Sequence, residues 1–170
     1  MEEIIKRLYV GNDSDYERLK DHDDWSFLRV CKEGPGGHRQ TLGYHTLGAP
    51  KDSPNYLWIR KGNLMSLNIL DLDDPEMIPE LPIRKGLEFI KERLDAGDKV
   101  LSACNQGHSR GPTTAMMFLR TIGELPYGFT TSEKIFRALY PKYSPAHGMR
   151  AFAREHWRML KDNFYGNAND

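Results

Sequence analysis

One segment restricts the fold of this chain more than any other, the run KVLSACNQGHSRGPTTAMMFLR at residues 99–120. Its first part, Lys99–Ala103, is apolar enough to form a buried central strand. A polar loop from Cys104 to Arg110 follows, and Pro112 stands where a helix can begin without losing a backbone hydrogen bond. A strand, a tight loop and a helix in this order gather the loop N–H groups at the positive end of the helix. The segment therefore predicts an anion-binding site.

The two ends of this loop carry reactive side chains. N–H donors and a nearby guanidinium favour the thiolate of Cys104, which is the nucleophilic form of cysteine. Arg110 supplies a planar fork that matches two oxygens of a phosphate, and Gly107 lets the backbone turn without a side chain in the way. A lone cysteine is more often a small core residue, but the flanking strand and helix and Ser109 before the arginine favour a sulfur nucleophile at the floor of a phosphate-sized bowl.

The same residues resemble the active-site signature of the cysteine-dependent protein phosphatases, and among them the small dual-specificity type. The pattern CxxGxSR is carried by Cys104, Gly107, Ser109 and Arg110. The stretches RLYVGNDSDYERL and YPKYSPAHGMRAFAREHW are also similar to that family, so the resemblance covers roughly residues 5–160 and is weakest between 30 and 65.

This resemblance implies an α/β fold with a mixed, mostly parallel sheet flanked by helices and the site at the carboxyl end of the KVLSA strand. It implies a two-step reaction through a cysteinyl-phosphate, with no metal and no cofactor. The phosphate would be held by the loop residues, which are Asn105, Gln106, Gly107, His108, Ser109 and Arg110.

The family also uses an aspartate as general acid, on a loop about thirty residues before the cysteine. The stretch LNILDLDDPEM offers three, and alignment with the family favours Asp73, which lies 31 residues ahead of Cys104. Asp74 is the alternative acid and Asp71 a more distant one. A solvated loop with an aspartate opening a turn at Pro75 explains one or two of these carboxylates without catalysis.

The chain departs from the family at two positions beside the loop. Ala103 stands where the family carries a histidine, and Gly111 stands where it carries a serine or threonine. Both departures predict a less stabilised thiolate and a slower second step, unless Ser102 or Thr113 compensates. They keep open a catalytically weak phosphate-binding module as the alternative function.

Charge and composition exclude several other classes. Lys plus Arg and Asp plus Glu both number 24, which gives a formal net charge of zero and argues against a general nucleic-acid binder. No run of eighteen apolar residues occurs, so we expect no membrane span, and the charged start MEEIIKRLYV does not resemble a signal peptide. Two cysteines make no disulfide framework, so we expect a reducing, cytoplasmic setting.

Turn residues and hydrophobic periodicity predict the remaining organisation. Clusters of Pro and Gly indicate loops at 33–40, 48–55, 73–82 and 140–148. One domain over residues 1–164 with a polar tail at 165–170 accounts for the chain. The other predicted strands are Leu8–Gly11, Ser26–Cys31, Tyr56–Arg60 and Leu64–Leu70, and the predicted helices cover Ile83–Leu94, a run from Pro112, a run opened by a capping box of Thr130 and Glu133, and Met149–Leu160.

Three weaker features are assigned to structure rather than chemistry. Cys31 lies in the apolar run FLRVC and is predicted to be core. His38 and His45 have no cysteine or carboxylate partners at metal-ligand spacing, so we expect no zinc site. The sequence does not determine an oligomeric state.

Taken together, these features predict a phosphomonoester hydrolase that acts on a phosphorylated protein or a small phosphoester. Phosphotyrosine is the favoured substrate. Phosphoserine, phosphothreonine, a phosphoinositide and an RNA 5′-phosphate stay open. A sulfur-transfer enzyme is a further alternative, since some of these enzymes also use a loop headed by cysteine.

Overall fold

The strand that precedes the cysteine loop lies inside a six-stranded sheet. The computed structural model describes residues 1–160, and its strands are β1 (Glu2–Ile5), β2 (Leu8–Gly11), β3 (Trp25–Arg29), β4 (Trp58–Lys61), β5 (Leu64–Leu67) and β6 (Lys99–Ala103). The strand order is β1-β2-β6-β3-β5-β4. β6 pairs in parallel with β2 and β3, and β3 pairs in parallel with β5, while β1 and β4 add antiparallel edges. The predicted mixed, mostly parallel sheet is confirmed.

Helices cover both faces of this sheet. They are α1 (Asp13–Leu19), α2 (His38–Leu42), α3 (Glu80–Asp95), α4 (Arg110–Thr121), α5 (Phe129–Leu139) and α6 (His147–His156), with a single 3₁₀ turn at Pro75–Met77. Successive strand residues point to opposite faces, so Val100 of β6 packs in the large core under α3 to α6 and Leu101 packs in a smaller cluster that includes Tyr16 of α1. The cysteine loop thus begins on a strand that is buried on both faces.

Most predicted elements are present, with shifted bounds. The bounds of β2 and β6 agree with the prediction, and α4 begins at Arg110, two residues before Pro112. α3 covers the predicted apolar stripe. The sequence does not predict β1 or α2, and α2 lies partly inside the Pro and Gly cluster at 33–40, whose composition predicts a loop.

The predicted capping box of α5 is wrong. The residue before the helix is Gly128, and no side chain caps the helix. Glu133 instead accepts hydrogen bonds from Arg150 of α6, to its Oε1 from Nε and to its Oε2 from an Nη nitrogen, both at 2.7 Å. A tertiary ion pair therefore takes the carboxylate that local sequence assigned to the helix start.

None of the helices between residues 1 and 160 combines the length and apolarity needed to cross a membrane. The predicted tail at 165–170, and the last four residues of the predicted domain, lie outside the described residues.

Candidate active site

The loop between β6 and α4 forms the floor of a cavity of about 630 Å³. Cys104, the first residue after β6, is only 2% exposed. The side chains of Gln106 and His108 are exposed at the rim. Ten residues line the cavity: Asp71, Cys104, Asn105, Gln106, His108, Ser109, Arg110, Ser144, Pro145 and Ala146. The structure thus brings every predicted loop residue except Gly107 to one cavity.

Gly107 allows the loop to approach the neighbouring strand. Its φ is +75°, and a Cβ at this position would lie 2.7 Å from the carbonyl oxygen of Gly11 at the end of β2. The hydroxyl of Tyr140 donates a hydrogen bond of 2.7 Å to the Gly107 carbonyl. Both the left-handed backbone and the close approach require glycine here.

Two hydrogen bonds hold Arg110, and its Nε nitrogen has no hydrogen-bond partner. One Nη nitrogen donates to the Ile69 carbonyl at 3.1 Å, and the other donates to Oδ1 of Asn105 at 2.8 Å. Its Nε is buried and has no hydrogen-bond partner; the nearest carboxylate, Asp71, is 3.8 Å away. A buried N–H without a partner costs free energy, so the guanidinium is ready to donate to an anion in the cavity.

Ser109 joins three segments around the cavity. Its hydroxyl donates to Oδ1 of Asp71 at 2.8 Å and accepts from the backbone N–H of Ala146 at 3.0 Å. The neighbouring carbonyl of His108 accepts from the Ser144 N–H at 3.0 Å. The cysteine loop, the aspartate segment and the loop before α6 therefore meet at one buried serine.

Of the three candidate carboxylates, the structure brings Asp71 to the cavity. Asp74 accepts from the backbone N–H of Glu76 at 2.9 Å and caps the 3₁₀ turn, which is the turn role weighed for it from the sequence. Asp73 contacts α6 through its carbonyl, which accepts from Nδ1 of His147 at 2.9 Å. Neither Asp73 nor Asp74 lines the cavity.

The sequence prediction of Asp73 as the acid, with Asp74 as the alternative, therefore disagrees with the observed cavity. One signal in the sequence favours Asp71, since it is the first carboxylate after the carboxyl end of β5. The carboxyl ends of parallel strands meet at one edge of a sheet, and the cysteine loop begins at that edge.

One of the two departures from the family pattern, Gly111, has a local structural cause. A Cβ at Gly111 would lie 2.7 Å from the carbonyl carbon of Ala103 and 2.9 Å from the backbone nitrogen of Cys104, so the position has no room for a side chain. The two candidate substitute hydroxyls bond elsewhere: Ser102 donates to the Gly111 carbonyl at 2.9 Å, and Thr113 pairs with the Tyr143 hydroxyl at 3.2 Å.

The remaining singled-out residues are structural. Cys31 is fully buried, and burial raises the pKa of its thiol to about 11, so its prediction as a core residue is confirmed. His38 is also buried, with its Nε2 2.7 Å from the carbonyl of Asn55. Within residues 1–160, no three His, Cys, Asp or Glu side chains are grouped as a metal site.

Comparison with known proteins identifies the fold. No protein-family model and no curated protein matches this chain. The crystal structure of DUSP15 aligns over 96% of this chain and 91% of its own with a TM-score of 0.64 and 18% identity. Human DUSP28 aligns over 95% and 98% with a TM-score of 0.64 and 14% identity. The chain has the dual-specificity phosphatase fold.

A third neighbour has the same fold under a different description. The human tyrosine phosphatase-like serine/threonine/tyrosine-interacting protein aligns over 94% of this chain and 96% of its own, with a TM-score of 0.59 and 18% identity. In the dual-specificity phosphatase fold of this chain, the cysteine loop lies at the carboxyl edge of the sheet. Likeness at these identities establishes architecture alone, and the chemistry depends on the residues of the site.

Proposed function

We propose that this chain is a cysteine-dependent phosphatase that hydrolyses phosphomonoesters. One observation carries the proposal: a buried cysteine, an arginine with an unpartnered buried N–H and a carboxylate line the same cavity at the N-terminus of a helix. A helix N-terminus and a guanidinium both favour the binding of a dianion. The sulfur of Cys104 lies in the loop between β6 and this helix.

In the proposed reaction, the Cys104 thiolate attacks the phosphorus and a sulfur–phosphorus bond forms as the bond to the leaving oxygen breaks. Arg110 and the loop N–H groups hold the other phosphate oxygens and stabilise the charge that develops on them. A carboxylic acid protonates the leaving oxygen. Water then attacks the phosphorus, the carboxylate takes the proton of that water, and the thiolate leaves.

We assign the general acid to Asp71 in place of Asp73. Its carboxylate lines the cavity and lies 3.8 Å from Nε of Arg110, while Ser109 fixes its Oδ1 by a hydrogen bond. The same group can then accept the proton of water in the second step.

The cavity favours a single phosphate as the ligand. Among the described residues that line it, Arg110 and His108 are the only basic ones. A polyphosphorylated inositide presents several dianions, each of which needs its own cations. We therefore propose phosphotyrosine in proteins as the substrate, with phosphoserine and phosphothreonine next, and phosphoinositides and RNA 5′-phosphates as outcomes of the test.

The nucleophile must stay a free thiol, and both cysteines are free, which supports the predicted cytoplasmic setting.

A second candidate function is a phosphate-binding module with little turnover. Gly111 favours this binding module, because backbone atoms of Ala103 and Cys104 lie too close to this position for a hydroxyl-bearing side chain. Without that hydroxyl, the departing thiolate in the second step has one stabilising donor fewer.

A substrate panel separates these functions. The wild type and Cys104→Ser are assayed on an aryl phosphate, on phosphotyrosine, phosphoserine and phosphothreonine peptides, on a short-chain phosphoinositide and on a 5′-phosphorylated RNA. We expect turnover of the aryl phosphate and the phosphotyrosine peptide, inhibition by vanadate, and no turnover by Cys104→Ser.

Two results would contradict the proposal. Wild-type turnover no higher than that of Cys104→Ser, together with retained phosphopeptide binding, identifies the binding module. Formation of thiocyanate from thiosulfate and cyanide, without ester hydrolysis, identifies a sulfur-transfer enzyme.

A further inference from the structure

One strand of the sheet carries a fully buried charged side chain, at a position where the packing does not require a charge. Arg29, the last residue of β3, is 0% exposed, and its Nε and one Nη nitrogen have no hydrogen-bond partner. The guanidinium lies 5.1 Å from the centre of the Tyr16 ring. Burying an incompletely bonded guanidinium costs free energy, and an apolar residue would fill this place at lower cost. The one ionic partner of Arg29 among the described residues is Asp13.

Asp13 connects this buried cation to the cysteine loop. It is the first residue of α1, and its Oδ1 accepts a hydrogen bond from Arg29. Its Oδ2 accepts from Nδ2 of Asn105 at 3.2 Å, and its backbone N–H donates to the Asn105 carbonyl at 3.1 Å. Each carboxylate oxygen therefore has a different partner, one in the sheet and one in the loop.

The contacts of Asn105 leave one orientation for its amide. Its Nδ2 donates to the Asp13 carboxylate and, at 2.9 Å, to the Glu33 carbonyl. Its Oδ1 accepts from Arg110 at 2.8 Å. A flipped amide would place an oxygen against two acceptors and an NH₂ group against a guanidinium. The negative charge of Asp13 thus fixes the amide, and the amide fixes Arg110.

We propose that Asp13 and Arg29 are positioning residues, which hold the Arg110 guanidinium in its phosphate-binding orientation through Asn105. The proposal rests on the proposed function, because it assigns these residues to the same phosphate site. Arg110 has one other hydrogen bond among the described residues, to the Ile69 carbonyl. Without Asn105 it would keep a single hydrogen bond, and the fork would lose its fixed plane.

The sharpest test is Asp13→Asn, which keeps the size of the side chain. Arg29 and Asn105 donate to different oxygens of Asp13. An asparagine has one side-chain oxygen, so in this arrangement it cannot accept from both. If Arg29 takes that oxygen, the new NH₂ group faces Nδ2 of Asn105 and turns its amide away from Arg110. We expect kcat/KM for an aryl phosphate to fall about 10- to 100-fold, since a misplacement of about 1 Å has effects of this size, and tungstate binding to weaken.

Asp15→Asn is the matched control. Asp15 also lies in the first turn of α1, where it accepts from the Asn12 N–H at 3.1 Å, but it has no bond to the loop. We expect this variant to keep the wild-type kcat/KM. Equal losses of kcat/KM in Asp13→Asn and Asp15→Asn would overturn the proposal, because they would assign the effect to helix stability.

The variant Arg29→Met distinguishes lost positioning of Arg110 from general destabilisation of the fold. In the double variant with Asp13→Asn, no guanidinium competes for the asparagine oxygen, which is then free to accept from Asn105. We expect the double variant to recover part of the kcat/KM that Asp13→Asn loses, a coupling that a double-mutant cycle measures. Losses that simply multiply would overturn the proposal.

Failure of the proposed function gives a different pattern. If the wild type binds tungstate but does not hydrolyse esters, the same variants are compared by tungstate affinity alone. Binding that is weaker in Asp13→Asn than in Asp15→Asn, and partly restored in the double variant, then supports positioning. If the wild type does neither, no phosphate site exists and both proposals fail.

Discussion

Two segments meet at the carboxyl edge of the sheet, and they are built by different forces. The loop from Cys104 to Ser109 follows β6 and is shaped by backbone, with Gly107 against Gly11 and a helix that begins at Arg110. The segment after β5 has no regular structure as far as the 3₁₀ turn, and side-chain bonds from distant residues hold it. A segment shaped by its backbone conformation can be predicted from local sequence. A segment held by side-chain contacts with distant residues depends on the whole fold.

We expect the largest effect on turnover from removing the carboxylate that the segment after β5 contributes to the cavity. Asp71→Asn removes the proposed proton donor, so we expect turnover to fall about 10²- to 10⁴-fold on esters with poor leaving groups. The loss should be much smaller on aryl phosphates whose leaving group needs no proton. Steady-state kinetics on a series of esters with different leaving groups measures how strongly turnover depends on the leaving group.

Asp73→Asn and Asp74→Asn are the matched controls in the same segment. Neither side chain lines the cavity, so we expect both variants to keep the wild-type dependence on the leaving group. If Asp73→Asn shows the steep dependence and Asp71→Asn does not, the original sequence alignment was right and the assignment to Asp71 is wrong.

A change in the first segment should act through backbone. Gly107→Ala adds a Cβ that would lie 2.7 Å from the Gly11 carbonyl oxygen, at a φ of +75°. We expect a loss of about 2–4 kcal/mol in the free energy of unfolding, and loss of activity on good and poor leaving groups alike. Chemical denaturation followed by tryptophan fluorescence measures the first effect.

Gly62→Ala separates the two causes. Gly62 also has a positive φ, +60°, but no atom lies within 4 Å of an added Cβ. It should cost about 1–2 kcal/mol, the cost of the left-handed backbone alone. Equal losses in Gly62→Ala and Gly107→Ala would show that the close approach to β2 contributes nothing.

The smallest expected effect lies away from both segments. Glu133 is 5% exposed and pairs with Arg150, whose hydrogen bonds lower the pKa of the Glu133 carboxyl. A lowered folded-state pKa stabilises the fold above the unfolded value, about 4.3, and this contribution is lost as the pH falls through the folded value. We expect Glu133→Gln to cost about 1–2 kcal/mol at neutral pH.

The difference in unfolding free energy between wild type and Glu133→Gln should therefore shrink as the pH falls below about 5. Denaturation curves at several pH values measure it. A difference that stays constant into acid would show that the ion pair with Arg150 is not its source. Because Glu133 does not line the cavity, the dependence of turnover on the leaving group should not change.

The same contrast explains how far the sequence predicted this molecule. The strand β6 and the loop residues from Cys104 to Arg110 follow from a contiguous pattern in which each residue limits its neighbours, and the resemblance that this pattern carries implies the mixed sheet. The contact between Asp71 and Ser109 joins residues 38 positions apart, so no local pattern contains it. Asn105 and Asp13 are 92 positions apart, and the sequence analysis assigned no role to Arg29 in its predicted strand.

Elements were missed for a related reason. The segment at 33–40 contains four turn-forming glycine and proline residues, and its composition predicts a loop, yet α2 begins at His38 because tertiary contacts bury that side chain. Glu133 fitted a capping box by spacing, but Arg150 of a later helix provides a stronger, charge-assisted partner.

The central claim is that Cys104 forms a bond to phosphorus, and rapid quenching tests it most directly. Wild type mixed with an aryl phosphate is quenched within one turnover, digested and examined by peptide mass spectrometry. We predict a phosphate adduct on the peptide that contains Cys104 and no adduct in Cys104→Ser. Hydrolysis that persists in Cys104→Ser, or a phosphate mapped to another residue, would contradict the account.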